Sequence, residues 1–330
     1  MLYITTRNHK DAFTAPRTLS QDLAQDEGLF VPFRMPTFSQ AQISELKEKS
    51  AGETIAQILN LFFSSHINGW DVDFCIGRNS TKLSSLNHKT VIAEMWHNPD
   101  ADLNYVIQGL YRKVYQDSGR NATEWFSLTV RIALMFAVFG EMLRQNLLTP
   151  SDIIDSVVPG NNLLACTAVI FAREMGLPIK AVICGCSEGM PVLELLRRGV
   201  LSTKTLRDTW GIERLLHSCL NSSKAKGFSE SYKQGESYHL NAEDISALNR
   251  NLFTAAVSQE RIGSVIHSTY RTGHYLVDEK TAIALAGLQD YRTATGENRI
   301  AIVFSDVSPM ASARFISRIL GIPLNELRFS

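Results

Sequence analysis

Apolar and polar positions alternate in a strand-then-helix pattern over the second half of the chain. Short apolar runs bounded by turn residues predict strands, and apolar residues at 3.6-residue spacing predict helices that end at glycines. The predicted segments are a strand at 153–158, a turn at 159–162, a helix at 163–175, a strand at 179–184 and a helix at 191–198. This alternation is typical of an α/β protein with a parallel sheet flanked by helices.

The remaining pattern is mixed. Residues 1–90 carry short strand and helix signals, with helical spacing at 39–47 and 51–63, and a further amphipathic helix begins near Tyr105. Asn241 and Asp244 resemble a capping box that opens a helix through about residue 257, and residues 299–304 form a last apolar strand. The longest apolar run, 132–139, is too short to span a membrane, so it predicts a helix buried on most sides.

Composition narrows the classes of function. The chain has 330 residues, 45% of them apolar, with 33 basic and 33 acidic side chains. This balance gives no electrostatic reason to expect nucleic acid or an anionic membrane as a partner. The five cysteines form no regular framework and the N-terminus lacks signal-peptide features, so we expect reduced thiols and a cytoplasmic location.

Several collinear segments resemble the threonine synthase family, whose members depend on pyridoxal phosphate (PLP). The first, YITTR at residues 3–7, is similar to that family's Y-I-S-T-R-G opening. The others are DLAQDEGLFVP at 22–32, EMWHNP at 94–99, VPGNN at 158–162, MGLPI at 175–179, ERLL at 213–216 and GHYLVDEKTA at 273–282. The resemblance implies a fold type II PLP protein, with an N-terminal domain at 1–90 and a tryptophan-synthase-β-like large domain at 91–330.

The sequence departs from that family at positions that its PLP chemistry needs. Aligned without a gap, the cofactor lysine falls on Asn104, and an amide cannot form the Schiff base that PLP chemistry needs. The small PLP-fold domain is missing near residues 117–125, where only a short connector remains. Asp100 and Asp102 would repel phosphate, although either could simply cap the following helix.

Candidate site residues are therefore vestigial. His97, Asp100 and Asn104 form the degenerate catalytic site, and Gly160, Asn161 and Asn162 form either a vestigial phosphate loop or a plain turn. Ser305 and Asp306 could line a pocket, while Asp306 or Ser308 could instead cap the next helix. Cys184-Gly185-Cys186 is interpreted as buried strand rather than as a metal or redox site, and we predict no metal.

Three hypotheses follow. The first is a pseudoenzyme with a binding or regulatory role and no cofactor, whose small-molecule ligand is unknown. The second is a PLP-dependent threonine synthase or related lyase acting on O-phosphohomoserine with an unidentified lysine. Neither Lys89 nor Lys113 is well placed for that role. The third is a different enzyme that uses His97 with Asp100 or Asp102 as an acid/base pair.

We also predict a partner. Loss of the small domain should leave an apolar face that associates, with 126–147 and the segment after His97 forming or supporting the contact. A homodimer is favoured, and an active threonine synthase is the other partner considered.

Overall fold

The structure is a computed structural model that describes residues 1–76, 82–96, 102–116, 119–204, 206 and 208–327. The strands are β1 (Leu2–Thr5), β2 (Phe13–Thr14), β3 (Phe30–Pro32), β4 (Lys82–Asn87), β5 (Thr90–Glu94), β6 (Ile154–Pro159), β7 (Ile179–Ser187), β8 (Val200–Leu201), β9 (Tyr238–His239), β10 (Phe253–Val257) and β11 (Ala301–Ser305). The α-helices are α1 (Ala15–Ser20), α2 (Gln40–Ser44), α3 (Ala51–Phe63), α4 (Gly69–Ile76), α5 (Leu103–Tyr115), α6 (Glu124–Arg144), α7 (Leu163–Glu174), α8 (Pro191–Arg198), α9 (Thr209–Cys219), α10 (Ser222–Gln234), α11 (Ala242–Asn251), α12 (Gln259–Gly273), α13 (Glu279–Thr295) and α14 (Ala313–Leu320). Short 3-10 helices lie at Glu45–Glu48, Pro309–Ser312 and Leu324–Glu326.

The central sheet has six strands in the order β10-β7-β6-β11-β5-β4. Neighbouring strands from β10 to β5 run parallel, and β4 runs antiparallel to β5. Helix α7 packs on one face, and α13 packs on the other. The predicted α/β class, with a parallel sheet flanked by helices, is confirmed. The antiparallel edge strand β4 was not predicted.

A glycine allows the close packing of α13 on the sheet. A Cβ atom at Gly185, within β7, would overlap the backbone carbonyl of Ile283 in α13. The flanking residues Cys184 and Cys186 are almost fully buried, which confirms the interpretation of this stretch as buried strand. All five cysteines are free thiols.

The N-terminal segment is tied to the large domain by buried ion pairs. Arg7 donates from Nε and Nη2 to the two carboxylate oxygens of Glu213 in α9, at 2.9 and 2.7 Å. The next residue, Arg214, is fully buried, pairs with Glu124 at the start of α6, and donates to the carbonyl of Phe30 at 2.6 Å. Helix α9 therefore holds β3 and the residues that directly follow β1.

Helix α6 is the central helix of the larger core. It packs between α3 and α7. Its length and apolar composition would suffice to cross a membrane, but 89% of its most apolar 18-residue stretch is buried inside the protein. The predicted buried helix is confirmed. That residues 126–147 contribute to or support a contact surface stays a prediction, and the burial of α6 favours the supporting role.

One predicted helix boundary differs from the structure, and one predicted domain boundary is not tested by it. The helix predicted through residue 257 ends at Asn251, and Phe253–Val257 is strand β10, because these residues pair with β7 at the sheet edge. The domain boundary predicted at residue 90 falls within the β4–β5 hairpin, so the division into two domains stays a prediction. Helices α5 and α6 are joined by residues 116–123, where the small domain is predicted to be missing.

Candidate functional site

The carboxyl ends of the parallel strands form the candidate site. Glu94 ends β5 and pairs in register with Ser305 at the end of β11, while β6 ends at Pro159 beside them in the sheet. Ligands of open α/β sheets bind in the crevice outside these carboxyl ends. Three polar clusters lie along this edge.

The first cluster joins a cation, an amide and a carboxylate. Arg131, which α6 presents from the core, is 8% exposed and places Nη1 2.6 Å from Oδ2 of Asp306. Asn162 donates from Nδ2 to the same oxygen at 3.5 Å, and its Oδ1 caps α7 by accepting from the Ala165 N–H at 3.2 Å. The carboxylate of Asp306 therefore lies near the first turn of α7, where the helix dipole favours negative charge.

The second cluster lies on the opposite face of the sheet. The Thr281 hydroxyl donates to Oδ1 of Asp278, the N-cap of α13, and the Thr281 oxygen lies 2.8 Å from Ser305 Oγ. Burial raises the pKa of Asp278, and hydrogen bonds from Thr281 and from the Lys280 N–H partly offset this rise. Negative charge on Asp306 raises the same pKa further, so the two carboxylates repel one another.

The third cluster surrounds a buried glutamate. Glu94, 2% exposed, accepts hydrogen bonds from Ser84 at 2.8 Å and from Tyr275 at 2.7 Å. Burial, together with the charge of Glu94, raises the pKa of Tyr275. Because β4 is antiparallel, its first residue lies at this edge, and Nζ of Lys82 is 3.5 Å from Oε2 of Glu94. About half of the Lys82 side chain remains exposed.

The loop after β6 is packed against β7. A Cβ atom at Gly160 would overlap Sγ of Cys186, so glycine is required for the approach of β6 to β7. Asn161 and Ser187 exchange two hydrogen bonds, at 2.9 and 3.0 Å. The polar side chains of residues 161 and 162 are thus both engaged within the protein.

The other predicted site residues are only partly brought together. Asn104 is exposed on the first turn of α5. Asp102 is the N-cap of α5, accepting from the Tyr105 N–H at 3.0 Å, which confirms the capping alternative for this residue. Asp306 does not cap a helix, whereas Ser308 does, accepting from the Met310 N–H at 3.3 Å. His97 and Asp100 lie outside the described residues.

Sequence reasoning missed two cations at this edge, Arg131 and Lys82. A charged residue within the apolar stretch of α6 was the available signal for Arg131, because a buried arginine needs a partner. Nothing in the sequence placed Lys82, since its position depends on the antiparallel direction of β4. Among the described residues, no group of three or more His, Cys, Asp or Glu side chains could hold a metal ion.

Comparisons with known proteins agree on one family. Residues 2–79 match the family model described as the threonine synthase N terminus. Threonine synthase-like 1 of Macaca fascicularis is 24% identical over 250 residues, and the human protein of that name is 23% identical over 250 residues. Each match covers 69% of this chain but only 31% of the relative, so the chain matches about a third of the length of these proteins.

Solved structures show the same fold. PLP-bound threonine synthase from Brucella melitensis superimposes with a TM-score of 0.84 at 16% identity, covering 100% of this chain and 95% of that one. Threonine synthase from yeast gives a TM-score of 0.79 at 17% identity, covering 97% and 90%. Together with the N-terminal match, these findings bear out the resemblance seen in the sequence: the chain is similar to threonine synthases and has the fold of their solved structures.

Proposed function

We propose that this threonine-synthase-like chain does not carry out PLP catalysis and instead has a binding or regulatory role. The observation that supports this most directly is Asn104, which stands where the family's lysine is expected and lies exposed on the first turn of α5. An asparagine amide has no nucleophilic amine with which to hold PLP or to move a substrate proton.

The surroundings of α7 also fit PLP poorly. A cofactor phosphate at the first turn of α7 would meet the carboxylate of Asp306, whose negative charge is already held there by Arg131. Two like charges a few ångströms apart repel by kilocalories at the dielectric of a protein interior. Asn162, which matches the asparagine of the family's loop, is engaged by the α7 cap and by Asp306.

Absorbance spectroscopy tests the proposal. Protein purified without added cofactor should be colourless, and addition of PLP should not produce the absorbance of an internal aldimine. After borohydride treatment, peptide mass spectrometry should find no single lysine that carries PLP in stoichiometric yield. A specific, stoichiometric adduct would contradict the proposal and would identify the lysine at once.

A second candidate function is PLP-dependent lyase activity through another lysine, and Lys82 is the observation that favours it. Its amine lies at the carboxyl edge beside Glu94, which also receives the Tyr275 hydroxyl. Against this, half of the Lys82 side chain is exposed, and reactive lysines are usually desolvated. The variant Lys82→Met separates the two functions: it should abolish any reducible adduct if Lys82 holds PLP, and should change nothing otherwise.

The binding partner that we propose is a second copy of the chain. Trp70 and Phe74, one turn apart on α4, and Tyr105 on neighbouring α5 are 74%, 82% and 65% exposed. At about 150–250 Å² for each aromatic side chain, they expose roughly 450 Å², more than half of the ~800 Å² that one partner buries in a standard interface. Lys113 lies over the Phe74 ring with its Nζ 3.6 Å from Asp71, so the patch carries both signs of charge, as a self-complementary two-fold contact requires.

A further inference from the structure

The carboxylate of Asp306 occupies a position suited to a bound anion. It lies near the N-terminus of α7, a helix of twelve residues, and is bound by Arg131 at 2.6 Å and by Asn162 at 3.5 Å. We infer that Asp306 is an internal anion that closes an oxyanion site, and that removing its charge opens this site to inorganic phosphate. This inference rests on the proposed function in one respect, because both require that no cofactor phosphate binds at the first turn of α7.

Arg131 supplies the main evidence for a built site. Its side chain is 9% exposed, and its Nε atom is buried with no hydrogen-bond partner among the described residues. A buried guanidinium with a donor to spare is a strong receptor for a planar or tetrahedral oxyanion. Asp306 neutralises the charge of Arg131 but does not accept from all of the Arg131 N–H groups, so the guanidinium is incompletely hydrogen-bonded.

The charges explain why the native chain should exclude phosphate. Arg131 and Asp306 cancel one another, and Asp278 adds a second carboxyl close enough for its pKa to be raised by Asp306. A phosphate would therefore meet an Arg131 charge that Asp306 already neutralises, and it would be repelled by at least one carboxylate. Replacing Asp306 by asparagine leaves Arg131 and the helix N-terminus without a counter-ion.

Thermal unfolding and isothermal titration calorimetry with inorganic phosphate test the inference, with sodium chloride at equal ionic strength as reference. Asp306→Asn should bind phosphate at least about tenfold more tightly than the native chain, and phosphate should raise its unfolding midpoint. Asp290→Asn removes an equally charged but half-exposed carboxyl on α13 and should behave as the native chain. The double variant Arg131→Met with Asp306→Asn should lose the phosphate response.

The phosphate response of Asp306→Asn, compared with that of the native chain and of Asp290→Asn, either supports or overturns the inference. Equal phosphate binding by the native chain, or no response of folded Asp306→Asn beyond that of Asp290→Asn, overturns the inference. If Asp306→Asn folds only in phosphate, the inference is supported, because the ion then replaces the missing carboxylate. If Asp306→Asn and Asp306→Ser fail to fold even in phosphate, it is overturned. The PLP absorbance of the native chain is measured separately, so a stoichiometric aldimine would refute the proposed function without touching this result.

Discussion

Replacement of Glu213 should show how strongly the N-terminal segment is held to the large domain. Glu213 is 3% exposed and accepts hydrogen bonds from Nε and Nη2 of Arg7, whose side chain is only 14% exposed. The Thr6 hydroxyl also donates to Glu213. Removing one member of a buried pair costs about 3–5 kcal/mol because the other charge is left uncompensated. Glutamine keeps the volume and one acceptor, and water can reach Arg7, so Glu213→Gln should cost about 2–3 kcal/mol.

Chemical denaturation followed by circular dichroism measures this cost. With an unfolding entropy of about 2.1 cal/mol/K per residue, a loss of that size lowers the melting temperature of this chain by about 3–4 °C. Arg7→Met and the double variant complete a mutant cycle, whose coupling energy should be about 2 kcal/mol. Glu260→Gln, on the exposed start of α12, is the matched control and should change little. A cost below about 0.5 kcal/mol for Glu213→Gln would refute the reasoning, since that is the range of ordinary surface changes.

Three further predictions concern activity, assembly and pH. Asn104→Lys alone should not produce threonine from O-phosphohomoserine in an amino-acid release assay, because the small domain that would orient the substrate is predicted to be missing; turnover by that variant would show the domain to be dispensable. The double variant Trp70→Ser with Phe74→Ser should convert a dimer into a monomer by light scattering at micromolar concentration, and a native chain that is already monomeric would contradict the proposed contact. Burial lowers the pKa of His217 to about 4, with contributions from His9 and Arg214, so the unfolded chain takes up a proton below about pH 6.5 that the folded chain refuses. Stability should therefore be lost as pH falls from 6.5 towards 4, by roughly 3 kcal/mol. His217→Asn should flatten the profile of denaturation midpoint against pH; an unchanged profile would rule out His217 as its source.

The elements best predicted from sequence are those whose signals are local. Helix α3 was predicted at its observed bounds, because its apolar stripe begins directly after the Ser50 cap, which forms a capping box with Glu53. The turn after β6 and the glycine that ends α8 were predicted for the same reason. Strand β10 was missed, since its identity depends on pairing with β7 and not on its own residues.

The candidate site was predicted only in part for a related physical reason. Ser305 and Asp306 could be located because they end or directly follow an apolar strand run, and Asn162 because it ends the turn between a strand and a helix. Arg131 and Lys82 could not, because one comes from a helix and the other from an antiparallel edge strand, and only the assembled sheet brings them to the same edge. The pairing of Asp306 with Arg131 joins residues that are 175 positions apart in the chain.

The burial of α6 has a consequence for how the chain can be made. Translation completes this helix at Arg144, but α7, which covers one of its sides, is not complete until Glu174. At roughly 5 to 20 residues per second, the ribosome leaves that apolar surface uncovered for a few seconds. During this interval the nascent chain displays a helix of membrane-spanning length to chaperones and to the insertion machinery alike. Synthesis that stalls before α7 should therefore yield fragments that aggregate or associate with membranes, whereas the completed chain keeps the same helix inside its core.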